Sequence, residues 1–214
     1  MRIGILGTGA MASALAEAWT RHGHGVLVGG RSTDKARAIA ETIGGGVEAV
    51  APAQVAPGSD AVVMAVVWEG LDEMLKLAGA DDGSLEGKVV IDCTNAVDYA
   101  TGLLKPSTGS AAQYIAERAT GSHVVKALHL FAGTSWLAPA PAGQPQRTVA
   151  MCGDDAAALE TTAALIRDLG AVPAVIGGLD CARQLEEVAG FVMRLVAHGH
   201  NPVTAVPFVD RSHG

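Results

Sequence analysis

The opening thirty-five residues constrain the fold most. Ile3, Gly4, Ile5 and Leu6 form a short apolar run that leads at once into Gly7, Thr8, Gly9, Ala10, Met11 and Ala12, and then into an amphipathic stretch ending at Arg21. A strand followed by GxGxxA and a helix is the arrangement that seats a pyrophosphate. Gly7 permits the tight turn, Gly9 lets the backbone come close to the ligand, and Ala12 lets the helix pack against the strand. The free amides of the helix's first turn, beginning at Ala10 and Met11, then face the phosphates. Glycine-rich turns are common, so the pattern gains its meaning from context: it follows a first strand directly, precedes a helix, and has a second strand at the expected distance.

The end of that second strand separates the two nicotinamide dinucleotides. An NAD site places Asp or Glu there to accept from the ribose hydroxyls. Here Val28 is followed by Gly29, Gly30, Arg31 and Ser32, with Lys35 one turn further on. A carboxylate would repel a 2′-phosphate, whereas guanidinium and hydroxyl donors bind it through charge-assisted hydrogen bonds. The expected cofactor is therefore NADP(H), with Thr8 adding a hydroxyl contact.

Apolar runs alternate with helical windows almost from end to end, the pattern of a Rossmann-type, doubly wound α/β protein with a mostly parallel sheet. Strands are expected at Arg2–Leu6, Gly25–Val28, Gly46–Val50, Ala61–Val67, Lys88–Asp92, His123–Leu128, Arg147–Cys152 and Ala171–Ile176. Helices are expected at Met11–Arg21, Thr33–Ile43, Glu69–Leu77, Ala111–Ala119, Asp154–Leu169 and Cys181–Val196. Asp154 and Asp155 stand where they would cap the fifth of these. The 214 residues suit one main core. They divide into a dinucleotide-binding domain, 1–177, and a short C-terminal helical extension, 178–214, expected to serve a dimer and the acceptor site. Leu137–Gln146, broken by Pro139, Pro141 and Pro145, is expected as an exposed connection or a lid, and Asn201–Gly214 as a tail packed loosely or against a partner.

A net charge of −7 and scattered Lys and Arg residues argue against a nucleic-acid or anionic membrane partner. No apolar run is long enough for a membrane span, and the N-terminus lacks a signal-peptide pattern, so a cytoplasmic protein is expected. Cys93, Cys152 and Cys181 show neither paired number nor CxxC spacing, and are expected to be structural. His198, His200 and His213 lack acidic or thiolate company at ligand spacing, so no metal site is expected.

Downstream, Val66 and Trp68 close the fourth expected strand, and Asn95 and Ala96 follow the fifth. Both lie at the carboxyl edge, where ligands of open sheets bind. Trp68 reads equally as an aromatic plug, and Asn95 as a turn residue. The sixth expected strand ends at His129 and Leu130, placing a histidine where a nicotinamide would lie, as donor or proton shuttle or else as a partly buried structural residue.

Taken in order, GTGAMASAL, VLVGGRS, AVVWE, LEGKVVIDCTNAVD, VVKALHLFAG, VAMCGDD and LDCARQLE resemble the NADP-dependent, coenzyme F420-dependent oxidoreductases. Members of that family pass hydride between NADP(H) and an 8-hydroxy-5-deazaflavin. The resemblance spans nearly the whole chain. It implies that Thr8, Arg31 and Ser32 surround the adenosine phosphate, that the His129 neighbourhood receives the stacked rings with His129 orienting one of them, and that the chain forms a homodimer through its C-terminal helix. Leu130–Phe131–Ala132 and Trp136 are read as a bulkier, more apolar acceptor pocket. Two other readings share the scaffold: a reductase of a flavin, imine or carbonyl compound, and a non-catalytic NADP(H)-binding sensor.

Overall fold

The computed structural model describes residues 1–138, 143 and 145–206. Among the described residues eight strands form one sheet: β1 (Arg2–Leu6), β2 (Gly25–Gly29), β3 (Val47–Ala49), β4 (Ala61–Met64), β5 (Val89–Asp92), β6 (His123–Lys126), β7 (Thr148–Gly153) and β8 (Val172–Gly177). Their order is β3-β2-β1-β4-β5-β6-β7-β8. The first six are mutually parallel, while β7 runs antiparallel to β6 and parallel to β8. The expected Rossmann-type α/β fold is thus observed, with its strand order reversing between β1 and β4.

Register aligns the strand ends. Leu6 pairs with both Gly29 and Met64, Met64 with Asp92, and Asp92 with Lys126. The residues just beyond them therefore share one edge of the sheet.

Both faces of the sheet are covered, which is why most strands read as unbroken apolar runs. On one side lie α1 (Ala10–Arg21), α2 (Thr33–Ile43) and α6 (Ala156–Asp168), packed around Leu15, Trp19, Leu165 and Ile166. The indole of Trp19 is fully buried and donates to the Leu165 carbonyl at 3.1 Å, tying α1 to α6. On the other side lie α3 (Pro52–Val55), α4 (Leu71–Leu77), α5 (Ala111–Arg118) and α7 (Ala182–Ala197). Asp155 caps α6 by accepting from the Ala158 amide at 2.7 Å, while Asp154 accepts instead from the Leu179 amide at 2.8 Å.

Several element boundaries differ from expectation for physical reasons. β4 stops at Met64, not Val67, because β1 ends beside it: Gly7 turns away with φ 143° and leaves no partner strand. β6 stops at Lys126, not Leu128, because Leu128 takes a left-handed φ of 63° that no strand accommodates. The one-turn helix α3 was not expected, since four residues are too few to show a helical period. Among the described residues no helix is long and apolar enough to cross a membrane. Residues 139–142 and 144 of the expected lid, and 207–214 of the tail with His213, lie outside the described residues.

Candidate dinucleotide cleft

The strand-order reversal opens a cleft of about 810 Å³ at the carboxyl edge of the sheet. Gly7, Thr8, Gly9, Ala10 and Met11 form one wall; Arg31, Ser32 and Lys35 stand at one end; Val66, Cys93 and Asn95 line the floor towards the other. All of these except Cys93 are expected site positions, and the fold brings them to one cleft.

The glycines divide their work. A Cβ on Gly7 would lie 2.1 Å from the Ala65 carbonyl oxygen, so the turn closes only without a side chain. A Cβ on Gly9 would meet no protein atom within 4 Å. Gly9 lines the cleft, so the space beside it is open. It is the N-cap of α1 and no side chain caps that helix, so the first-turn amides remain free for an anion. The turn thus sets unpaired amides beside open space, the arrangement that an anion requires.

At the other end, Ser32 caps α2 by accepting from the Lys35 amide at 3.3 Å, which leaves its hydroxyl proton free to donate. A Cβ on Gly30 would lie 2.5 Å from the Thr8 methyl, so the two loops touch. Arg31 donates to Glu73 at 2.8 Å across the cleft mouth.

Four expected positions do not line this cleft. Trp68 packs edge-on against Tyr114, ring centroids 5.2 Å apart, as the plug alternative anticipated. Ala96 is fully buried in the helix-covered core. His129 and Leu130 border a separate narrow crevice with Phe131, Val149 and Ala150. The half-buried Phe131 packs edge-on against the buried Trp136 at 5.4 Å beside the core, and neither ring lines the cleft.

The His129 side chain is 4% exposed. Its Nε2 donates to the Leu185 carbonyl at 3.0 Å, so Nδ1 carries the lone pair and has no partner among the described residues. Burial, reinforced by the positive charge of Lys126, lowers its pKa to about 3. The imidazole is neutral near pH 7 and is no proton shuttle there. The backbone carbonyl of His129 nevertheless accepts from Asn95 Nδ2 at 2.8 Å and so holds a residue of the cleft floor.

This has a measurable consequence. The unfolded chain binds a proton at His129 below about pH 6.5, and the folded chain does not until about pH 3, so stability falls as pH drops through that window. Moving from pH 7 to 5 costs about 2 kcal/mol from this residue. Denaturant titrations at both pH values should show the loss shrinking by that amount in His129→Gln; an identical loss would exclude the assignment.

Beneath the cleft lies a charge cluster that the sequence reading missed. Asp92, Lys126 and Glu186 are each 0% exposed. Lys126 Nζ lies 2.9 Å from both Asp92 Oδ2 and Glu186 Oε1, and it also donates to the Thr94 carbonyl. Asp92 Oδ1 accepts from the Thr94 amide at 2.8 Å, and Glu186 from the Ala111 amide at 2.9 Å. The two carboxylates hold the Lys126 pKa above the usual ammonium value against the cost of burial, while burial raises that of Glu186. The cluster fixes the turn that carries Cys93, Thr94 and Asn95, and it locks α7 against β5, β6 and α5. Burial also pushes the Cys93 and Cys152 thiols up, the latter to about 12, so neither is a nucleophile at neutral pH. Glu73, Met74 and Tyr99 line the cleft too and were likewise not anticipated.

Against known proteins, a family match falls on the stretch that builds most of this cleft. Residues 2–96 match the family described as NADP oxidoreductase, coenzyme F420-dependent. Among solved structures, a protein of Arthrobacter sp. FB24 provisionally named an F420-dependent NADP reductase is 28% identical, with a TM-score of 0.81, covering 92% of this chain and 95% of that one. A hypothetical protein of Sinorhizobium meliloti is 25% identical with a TM-score of 0.74, covering 85% and 88%. An imine reductase of Myxococcus stipitatus solved with NADP+ is 19% identical with a TM-score of 0.67, covering 93% of this chain and 63% of that one, a likeness of fold alone. Metalloreductase STEAP3 of Rattus norvegicus is 26% identical over 187 residues, 87% of this chain. The chain spans about a third, 36%, of that curated relative's length. The family match covers residues of the chain that build most of the cleft.

Proposed function

We propose that this chain is an NADP(H)-dependent oxidoreductase that passes hydride between NADP(H) and a deazaflavin of the coenzyme F420 type. The observation carrying the reading is the cleft itself: an uncapped α1 N-terminus over the Gly7–Gly9 turn, continuous with Arg31, Ser32 and Lys35 beyond a β2 that ends without an acid. The acceptor half of the reading rests on the family matched by residues 2–96 and on the Arthrobacter protein's name.

When bound, the nicotinamide supplies or takes the hydride. The chain's own task is to position it. The α1 amides and Gly9 would hold the pyrophosphate, and Thr8, Arg31, Ser32 and Lys35 the ribose phosphate. Met11, Val66, Cys93 and Asn95 would wall the ring end and shield it from water. His129 acts here as a positioning residue, through its carbonyl bond to Asn95. We propose further that two copies pair through the outer face of α7, where Phe191 and Val196 are exposed and a hollow of about 780 Å³ is lined by Leu103, Leu104, Phe191 and Leu195.

The test is to mix purified protein with NADPH and oxidised deazaflavin coenzyme and follow the deazaflavin's visible absorbance. Its NADPH-dependent loss is expected. NADPH oxidation only with a flavin, imine or carbonyl compound would move the acceptor assignment, and tight NADPH binding without oxidation by any of them would identify a sensor.

A further inference from the structure

Arg31, the guanidinium assigned to the ribose phosphate, is already engaged. Its Nη1 donates to Glu73 Oε2 at 2.8 Å, with the two side chains 56% and 57% exposed. The guanidinium lies over Gly70, where a Cβ would come within 3.6 Å of Nη2. Both partners line the cleft.

Glu73 differs from its neighbour. Both residues belong to the first turn of α4. Asp72 is committed to Lys76 at 2.8 Å, to Arg118 at 3.1 Å and to the Tyr114 hydroxyl. Glu73 forms one ion pair among the described residues, the one to Arg31. The end of the cleft thus holds two cations, Arg31 and Lys35, and one carboxylate, supplied by α4 and not by β2.

We infer that Glu73 is a specificity-determining residue that sets how strongly the cleft prefers a phosphorylated over an unphosphorylated adenosine ribose. The proposal rests on the NADP(H) reading of the cleft. A 2′-phosphate must draw Arg31 away from Glu73 and then sit close to that carboxylate, so Glu73 weakens NADP(H) binding by competition and by like-charge repulsion. An unphosphorylated ribose meets the reverse: its hydroxyls can donate to a carboxylate, the role of the acid that β2 lacks. Because the pair is exposed it breaks readily, and the phosphate still gains two cations. Glu73 therefore leaves the cleft preferring NADP(H) while retaining affinity for NAD(H).

Nicotinamide fluorescence titrations of the wild type, Glu73→Gln and Asp72→Asn with NADPH and NADH at low ionic strength test this. In Glu73→Gln the NADPH-to-NADH affinity ratio should rise about tenfold, corresponding to one charge repulsion removed. The gain should shrink in about 0.5 M salt, where exposed charges are screened. Asp72→Asn, which removes a charge from the same turn outside the cleft, should leave the ratio within about twofold. A ratio unmoved by Glu73→Gln while the wild type still prefers NADPH would overturn the role of Glu73 and spare the cofactor reading. A similar rise in Asp72→Asn would reduce the effect to general surface charge and overturn it also. A wild type that binds neither dinucleotide would overturn both.

Discussion

Lys126→Met should destabilise the protein by about 3–5 kcal/mol and lower its Tm by roughly 10 °C, more than any other single change to a charged residue in the described chain. Met fills nearly the same volume, so the loss is electrostatic. It strands Asp92 and Glu186, both 0% exposed, without the ammonium that lies 2.9 Å from each. A buried ion pair adds little net stability when intact, yet removing one partner leaves an uncompensated charge in a low-dielectric interior. The remaining hydrogen bonds, from the Thr94 amide to Asp92 and the Ala111 amide to Glu186, offset only part of that. The double variant Lys126→Met/Glu186→Gln should recover roughly half the loss, since one stranded charge is neutralised while the amide oxygen still accepts from Ala111. Chemical unfolding of the wild type and the variants at pH 7 checks this. A loss below about 1 kcal/mol would mean that water reaches the cluster.

This cluster marks the limit of what the chain's spelling reveals. Asp92 and Lys126 each close an apolar strand, VVID and HVVK, and a charge at a strand end reads as a solvated terminus. Glu186 lies on the same face of α7 as Ala182, Leu185 and Ala189, which is the one local sign that it is buried. Only the parallel register that sets Asp92 opposite Lys126, and the packing of α7 across them, brings three charges together. Glu73 was hidden for the same reason: it stands 42 residues beyond Arg31, and tertiary packing alone brings them to 2.8 Å.

Local constraints were legible. The Gly7–Ala12 turn, its helix and the acid-free end of β2 require nothing beyond their own backbone and side-chain chemistry, and they came out where the sequence placed them. Extrapolation from strand to site failed at His129. The rule that strand ends face the ligand assumes that extended backbone continues, and Leu128 breaks it with φ 63°. A leucine in left-handed backbone has no sequence signature. Past it the imidazole turns to the Leu185 carbonyl, and only the His129 backbone serves the cleft, through Asn95.

Gly9→Val should cut affinity for either dinucleotide at least about 100-fold, a loss of about 2.7 kcal/mol or more, while leaving the fold intact. The two turn glycines make this a clean experiment because they fail differently. Gly7 has φ 143° and a Cβ position 2.1 Å from the Ala65 carbonyl, so any substitution there disturbs the backbone and confuses binding with folding. Gly9 has φ −86° and ψ −177°, ordinary extended backbone that any residue adopts, and its Cβ position meets nothing of the protein. A valine there costs less than about 1 kcal/mol of stability, since no capping hydrogen bond exists to be lost. What it fills is the open space beside the α1 amides, where a pyrophosphate must come within hydrogen-bonding distance of the backbone. Thermal unfolding within a few degrees of the wild type, combined with lost NADPH and NADH binding by titration, is the expected pair of results. Retained affinity in a folded Gly9→Val protein would move the pyrophosphate away from α1 and take the dinucleotide assignment of this cleft with it.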